Sequence, residues 1–328
     1  MFKALLLEQS GMTTVSRVTS LDESSLPPGE VMVQVDFSSL NYKDGLAITG
    51  KSPVVRTWPM VPGIDFAGKV HSSSDARFNV GDRVVLNGWG VGETRWGGFA
   101  QYARVPADFL VPLPEGLSTM QAMAIGTAGY TAMLAVQALE RAGVNPSMGE
   151  FLVTGANGGV GGFAIALLAS RGFHVVASTG RIEEGARLRE LGAADVIDRA
   201  TLNQKGKPLQ KERWAGVIDS VGGQTLANAC AASRYAGVVA ACGLAESMEL
   251  PVTVAPFILR GVTLVGIDSV HAHYSRRLSA WSQLAKEMSH EKIHSMISSV
   301  INLEQSIPAS QDLIDGKIKG RMVVNPNL

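Results

Sequence analysis

The clearest chemistry in the sequence sits at Val153-Thr154-Gly155-Ala156-Asn157-Gly158-Gly159-Val160-Gly161-Gly162. Within this run, Ala156-x-Gly158-x-x-Gly161 has the spacing of a dinucleotide-binding turn with alanine in its first place. Such a turn needs residues without bulk, because a side chain there holds the backbone off a pyrophosphate. The helix that follows offers unpaired N–H groups and partial positive charge to the phosphates. The spacing alone is a weak signal. It gains weight because it follows a predicted strand, precedes a predicted helix and opens a strand–helix series. Asn157, Gly158, Gly159 and Val160 are the expected cofactor contacts. The next predicted strand ends at Ser178-Thr179-Gly180-Arg181, with no carboxylate to take a ribose hydroxyl. Arg181 stands 20 residues past Gly161. A guanidinium suits a 2′-phosphate, as does a hydroxyl from Ser178 or Thr179, so the expected cofactor is NADPH rather than NADH. The plainer reading of Arg181 is a solvated residue paired with Glu183 or Glu184.

The elements that must position these residues fall into three stretches. Residues 1–110 read as short strands at Lys3 to Glu8, Val31 to Phe37, Phe66 to His71 and Arg83 to Leu86, punctuated by Pro62-Gly63, Gly81-Asp82 and Gly97-Gly98. This pattern predicts a mainly β domain. Near Ser118, a candidate N-cap with Gln121 three residues on, the pattern turns helical. One helix is predicted from about Thr119 to Ile125, and a second from about Gly129 to Ala142, stopped by Gly143. Strands and helices then alternate. Strands are predicted at Glu150 to Thr154, His174 to Ser178, Val196-Ile197, Gly216 to Ser220, Val238 to Cys242 and Val262 to Ile267. Helices are predicted at Val160 to Ser170, Glu183 to Leu191 and Thr225 to Tyr235. The expectation is a doubly wound parallel sheet covered on both faces. The polar segment Asn203 to Arg213 reads as an exposed loop or a helix start. After Ser269, an amphipathic helix is expected over Arg276 to Glu287, with Leu278, Trp281, Leu284 and Ala285 on one face. Strands at Val300-Ile301 and Met322 to Val324 are expected to return to the first domain, because the second already has six. The fold class is therefore α/β. A Rossmann domain is placed at 124–269, and a mainly β domain at 1–123 with 270–328.

Composition sets the outer bounds. With 328 residues, 29 Lys+Arg and 29 Asp+Glu, the chain is large enough for two domains and carries no net charge. That argues against a broadly basic nucleic-acid binder and against a polybasic membrane-surface protein. Two cysteines, Cys230 and Cys242, are too few for a disulfide framework or a four-cysteine zinc site. The apolar run in Met1 to Leu7 is short for a signal peptide, and Gly158 to Ser170 is short for a membrane span. A soluble, cytoplasmic protein with a small-molecule substrate is expected. Glycine is abundant, at 36 residues, and five of these stand at 155, 158, 159, 161 and 162.

Several stretches together resemble the medium-chain dehydrogenase/reductase superfamily. They are Asn41-Tyr42-Lys43-Asp44, Pro62 to Gly68, Gly81 to Val84, Gly97 to Ala100, the glycine run, Ser178 to Arg181, Asp219 to Gly223, Pro256 to Arg260 and Gly266 to Ser269. The resemblance spans nearly the whole chain. It points to the zinc-independent quinone-oxidoreductase branch and, within it, to the acryloyl-CoA reductase group. It implies a GroES-like catalytic domain beside the Rossmann domain. Zinc members have a cysteine near the position of Leu40–Asn41 and a Gly-His-Glu; here the residues are Gly63-Ile64-Asp65, so no metal is expected. Asp65 itself reads as a turn residue. His271-x-His273 reads as a surface loop, and Arg56, Arg276 and Arg277 as solvated charges.

Without a Lewis acid to polarise an alcohol, hydride transfer goes to an acceptor that is already electrophilic. The resemblance implies NADPH-dependent reduction of the C=C bond of a short enoyl-CoA. An NADPH:quinone oxidoreductase and a non-catalytic NADPH-binding protein are the alternatives. Tyr42 is the catalytic candidate: a phenol donates to a carbonyl or delivers a proton, and in the family this tyrosine lies by the nicotinamide. A buried structural tyrosine is the plainer alternative. Asn41 and Asp44 are candidates for orienting it. Resemblance adds Arg199 beside the adenine, Leu244 and Ile258 beyond the fifth strand, and Ser269 at the end of the sixth. Gly316 stands where relatives carry a polar residue. Relatives also pair through the last strand of the nucleotide-binding sheet, so a homodimer through Thr263 to Gly266 is expected.

Overall fold

The computed structural model describes residues 1–11 and 13–328. The chain forms two units, residues 1–127 with 269–328 and residues 128–268. The first pass through unit 1 begins with the antiparallel pair β1 (Phe2–Ser10) and β2 (Thr13–Leu21). It continues through β3 (Val31–Leu40), helix α1 (Tyr42–Thr49), β4 (Asp65–Ser73), β5 (Arg83–Asn87), β6 (Tyr102–Val105) and β7 (Val111–Pro112). Helix α1 starts where it does because Asn41 and Asp44 form a capping box, and it ends at Gly50 in the left-handed region, φ 68°.

The two helices expected here are found, running on from one another as α2 (Thr119–Arg141), and Gly126, with φ 52° and ψ −160°, is the break between them. By composition α2 is long and apolar enough to cross a membrane. Its most apolar window is 94% buried, which makes it a core helix.

Unit 2 is a six-stranded parallel sheet. Its elements are β8 (Glu150–Val153), α3 (Gly159–Ser170), β9 (His174–Thr179), α4 (Gly185–Glu190), β10 (Asp195–Asp198), β11 (Trp214–Asp219), α5 (Gly223–Ala231), β12 (Ser233–Ala241), α6 (Ala255–Arg260) and β13 (Thr263–Gly266). The strand order is β10-β9-β8-β11-β12-β13, with every neighbouring pair parallel. This is the Rossmann order, and it reverses between β8 and β11, so the carboxyl ends of those two strands flank the crevice where such sheets bind ligands. The run Phe151 to Val153 and the residues Val175, Val176 and Ala177 are fully buried, as strands covered on both faces require. Helix α5 stops at Ala231, four residues before the expected end. The chain enters β12 directly, with the Ser233 hydroxyl donating back to Ala229 O at 2.8 Å. Residues 203–213 form a loop.

The chain then returns to unit 1 with α7 (Tyr274–Glu287), α8 (His290–Ser295), β14 (Ile297–Ile301), α9 (Leu303–Ile314) and β15 (Arg321–Val324). Strand β15 pairs antiparallel with β3 and parallel with β14. The resulting sheet is β14-β15-β3-β4-β5-β7, with β6 also on β3. The buried stripe of α7 is Arg277, Ala280, Trp281 and Leu284. Leu278, expected inside, is 40% exposed, and Arg277, expected in solvent, is 1% exposed. The spacing explains the exchange: 277, 280, 281 and 284 share one face, whatever their polarity. The Arg277 guanidinium is satisfied there by Asn87 O at 2.5 Å, Val270 O at 2.6 Å and Ala272 O at 2.9 Å, and it lies 4.3 Å from the Trp89 ring centroid.

Candidate functional site

In unit 2 the glycine run forms a cradle at the carboxyl end of β8. Gly155 has φ +60°, and a Cβ on it would stand 2.4 Å from Ser220 Oγ. Gly158 donates back to Gly155 O at 2.9 Å and caps α3 without a side chain. A Cβ on Gly161 would stand 2.4 Å from Gly155 O, so the helix packs directly on the turn. The cradle is tied sideways to β9, with Ala156 N donating to Ser178 O at 3.2 Å and Asn157 Nδ2 to Thr179 Oγ1 at 2.7 Å. Thr179 Oγ1 also accepts from Arg181 N at 3.0 Å. Arg199, at the end of β10, lies over Gly180: a Cβ there would be 2.6 Å from the Arg199 Nε. The structure thus gathers Asn157, Gly158, Gly159, Val160, Ser178, Thr179, Gly180, Arg181 and Arg199 at the carboxyl ends of three adjacent strands.

Two polar atoms in this knot, Ser178 Oγ and Asn157 Oδ1, are buried without a hydrogen-bond partner. Buried polar groups are rarely left so, and those that are call for a ligand or another account. A donor–acceptor hydroxyl, an amide oxygen, a glycine cradle and a helix N-terminus are a set that fits a phosphorylated dinucleotide. The remaining expected contacts lie elsewhere. The Leu244 backbone packs near the Gly222 turn, with its side chain 59% exposed, and Ile258 stands 73% exposed on α6. Ser269 belongs to unit 1, where its carbonyl faces Gly88 and accepts from Arg277 at 3.4 Å.

In unit 1, Tyr42 is the first residue of α1 and is 42% exposed, which excludes a buried structural tyrosine. Among the described residues its hydroxyl has no hydrogen-bond partner. Asn41 and Asp44 act on the helix start and not on the phenol. Asp44 accepts from Asn41 N at 2.9 Å and from Gly63 N and Ile64 N at 3.0 Å each. Asp65 is not a turn residue. It is the first residue of β4, fully buried, and its carboxylate accepts from Ser39 Oγ at 2.7 Å, Asn41 Nδ2 at 3.0 Å, and Thr127 N and Oγ1 at 2.7 Å each. Arg321, at the start of β15, completes the group, donating to Ser39 Oγ at 2.7 Å, Asn41 Oδ1 at 3.1 Å and Ala124 O at 3.2 Å. Burial, and then the charge of Asp65, push the Asp44 carboxyl up to about 7. Burial pulls the Arg321 guanidinium down from its usual value, against the two carboxylates. The break in α2 also belongs here: a Cβ on Gly126 would stand 2.6 Å from both Arg321 Nη2 and Ser39 Oγ.

Sequence reasoning missed Arg321 and misread Asp65. The visible signal was slight: a charged residue opening each of two otherwise apolar strand runs. As for metal ligands, Asp65 is spoken for by hydroxyl, amide and backbone donors. His273 caps α7, and His271 sits edge-on to Trp89 at 6.3 Å. A separate acid–histidine set, Glu150, His174 and Asp195, stands at the starts of β8, β9 and β10. Those side chains already pair, Glu150 with Arg213 at 2.6 Å and His174 with Asp195 at 3.3 Å.

Two family models match the chain: the alcohol dehydrogenase GroES-like domain over residues 27–115 and zinc-binding dehydrogenase over residues 159–289. The acrylyl-CoA reductase AcuI of Ruegeria pomeroyi is 50% identical over 331 residues, covering 100% of both chains. The chain belongs to the acryloyl-CoA reductase group of the medium-chain dehydrogenase/reductases. The crystal structure of Escherichia coli K-12 YhdH with bound NADPH superposes with a TM-score of 0.97 at 50% identity, covering 99% of this chain and 100% of that one. A putative quinone oxidoreductase of Bacillus subtilis, YhfP, is 42% identical over 325 residues, 99% of this chain and 98% of that one. The GroES-like and Rossmann parts of this family correspond to the mixed sheet of unit 1 and the parallel sheet of unit 2.

Proposed function

We propose that the chain reduces the C=C bond of a short enoyl-CoA with NADPH, acryloyl-CoA to propionyl-CoA. The observation that carries this reading is the full-length 50% identity to an acrylyl-CoA reductase. NADPH, when bound, supplies the hydride that reaches the β-carbon. In this reading unit 2 holds it. The Ser178 hydroxyl and the Arg181 guanidinium take the 2′-phosphate, the N–H groups from Asn157 to Val160 take the pyrophosphate, and Arg199 lies against the adenine. Leu244, Ile258 and Ser269 line the rest of the cofactor.

Unit 1 supplies Tyr42, whose free hydroxyl polarises the thioester carbonyl or protonates the α-carbon. The buried network of Asp44, Asp65 and Arg321 supports this by fixing the backbone from which α1 begins. Quinone reduction is a second reading, favoured by the 42% identity to YhfP. A panel of acryloyl-CoA, crotonyl-CoA and 1,4-benzoquinone with NADPH separates the two. NADPH oxidation no faster with acryloyl-CoA than without it overturns the enoyl-CoA reading, and turnover of the quinone alone establishes the second.

The protein is further proposed to be a cytoplasmic homodimer. Strand β13 is an outer edge of its sheet, and Val254 and Leu259, in the segment that leads into it, are exposed apolar residues that a partner would cover. A monomer mass by light scattering overturns the dimer.

A further inference from the structure

The most buried carboxylate of unit 2 has no part in the chemistry above. Asp219 ends β11 and is 0% exposed. Its carboxylate accepts from Thr154 Oγ1 at 2.6 Å, Gly222 N at 2.8 Å and Val221 N at 3.2 Å. Thr154 is the residue between β8 and Gly155, so the first bond reaches across the switch point to the root of the cradle. The next residue reinforces it: Ser220 N donates to Thr154 Oγ1 and Ser220 Oγ to Thr154 O, each at 3.2 Å. The other two bonds fold the Val221–Gly222 turn, where Gly222 has φ +77° and Gly223 φ +58°. That turn in turn holds the segment after β12, with Glu246 N donating to Val221 O at 2.8 Å and a bridge from Gly222 to Ser247. Burial raises the Asp219 carboxyl above the usual range, so the fold bears a cost to keep an acid here that an apolar residue would avoid.

We propose that Asp219 is the positioning residue that sets the pyrophosphate cradle and the 221–223 turn in register, so that the pyrophosphate and the nicotinamide half of a bound dinucleotide meet loops held by one carboxylate. It acts through Thr154 and the turn, without touching the ligand. The proposal rests on the NADPH reading, and it makes a distinction within it. The Ser178–Arg181 side of the site ends a different strand, β9, and its own turn is closed by Arg181 N donating to Thr179 Oγ1 at 3.0 Å; Asp219 makes no bond to it and reaches it only through the cradle.

The test is calorimetric titration of the full chain with NADPH and with adenosine 2′-monophosphate, which carries the 2′-phosphate but neither phosphate of the pyrophosphate. Asp219→Asn puts an NH₂ group against one of the donors, and Thr154→Val removes the bridging hydroxyl while keeping the shape. Both variants are expected to weaken NADPH by about tenfold, the scale of one hydrogen bond to a charged group, and to leave adenosine 2′-monophosphate unchanged. Equal weakening of both ligands, as a merely structural defect would give, overturns the proposal, as does unchanged NADPH binding. If Asp219→Asn does not fold, Thr154→Val decides on the same criterion. A wild-type chain that binds neither ligand refutes the NADPH reading itself, a result distinct from the other outcomes.

Discussion

The cradle of unit 2 and the buried network of unit 1 are both polar, both enclosed and both built around the start of a helix, yet they are finished differently. In the cradle, Ser178 Oγ and Asn157 Oδ1 are left without partners beside the N-terminus of α3, where the first turn of a helix leaves backbone N–H groups without intrahelical partners. In the network, the carboxylates of Asp44 and Asp65 and the guanidinium of Arg321 meet donors and acceptors of matching kind within the fold. The network satisfies itself from within the fold, and the cradle stops short of doing so, leaving two atoms that a bound group could satisfy. Tyr42 resembles neither, an exposed phenol with an open hydroxyl on the first residue of the helix that the network caps.

The largest effect that sharpens this contrast is expected from Arg321→Met. It strands Asp65 without its cation and should cost about 3–5 kcal/mol in urea unfolding. The folded fraction should still bind NADPH as the wild type does. A loss of affinity would show that the network is part of the cofactor site.

Next in size, Tyr42→Phe should lower kcat with acryloyl-CoA by about a hundredfold, the scale of one general acid, while barely moving the NADPH dissociation constant. Quinone turnover should fall less. An unchanged kcat removes Tyr42 from the chemistry. Arg181→Ala should weaken NADPH by roughly tenfold to a hundredfold and leave NADH where it was. Equal losses for both cofactors would take the 2′-phosphate away from Arg181.

The smallest effect concerns pH. Asp44 is raised from 3.8 to about 7 in the folded chain, so between those values the native state holds a proton that the unfolded chain has released. Its contribution to stability is therefore complete below pH 3.8 and drains away as pH rises through about 7. Melting temperatures of Asp44→Asn between pH 4 and 8 should show a shallower decline than those of the wild type. Parallel slopes would mean that Asp44 stays ionised.

What could be read from the chain follows the same division. The cradle was legible because its parts are local. Gly155 to Gly162 lie in one run, and the hydroxyls and guanidinium that complete it end the very next strand. The Rossmann series was legible from its alternation of apolar strands and helices. The network was not, because Asp65 and Arg321 stand near opposite ends of the chain and meet only when β15 returns to β3. Arg277 was misplaced for a related reason. Periodicity put Leu278 in the core by its chemistry, but the face of α7 is chosen by Trp281 and Leu284, and Arg277 is carried inward with them because four carbonyls and an indole ring await it. Helix α5 was drawn too long because nothing in Ala231 to Tyr235 announces a strand before the chain reaches Ala236, which takes φ +57°.

The two unpartnered atoms at Ser178 and Asn157 have a consequence for the lifetime of the protein in a cell. A fold completed by its ligand draws part of its stability from solution. If NADPH binds only the native state, a concentration one hundred times the dissociation constant adds about 2.7 kcal/mol against unfolding. Local opening around β9, and with it the exposure of the chain to proteases, would then track the reducing nucleotide pool. Starved of that pool, the protein would turn over faster, and its abundance would report the supply of the electrons it spends.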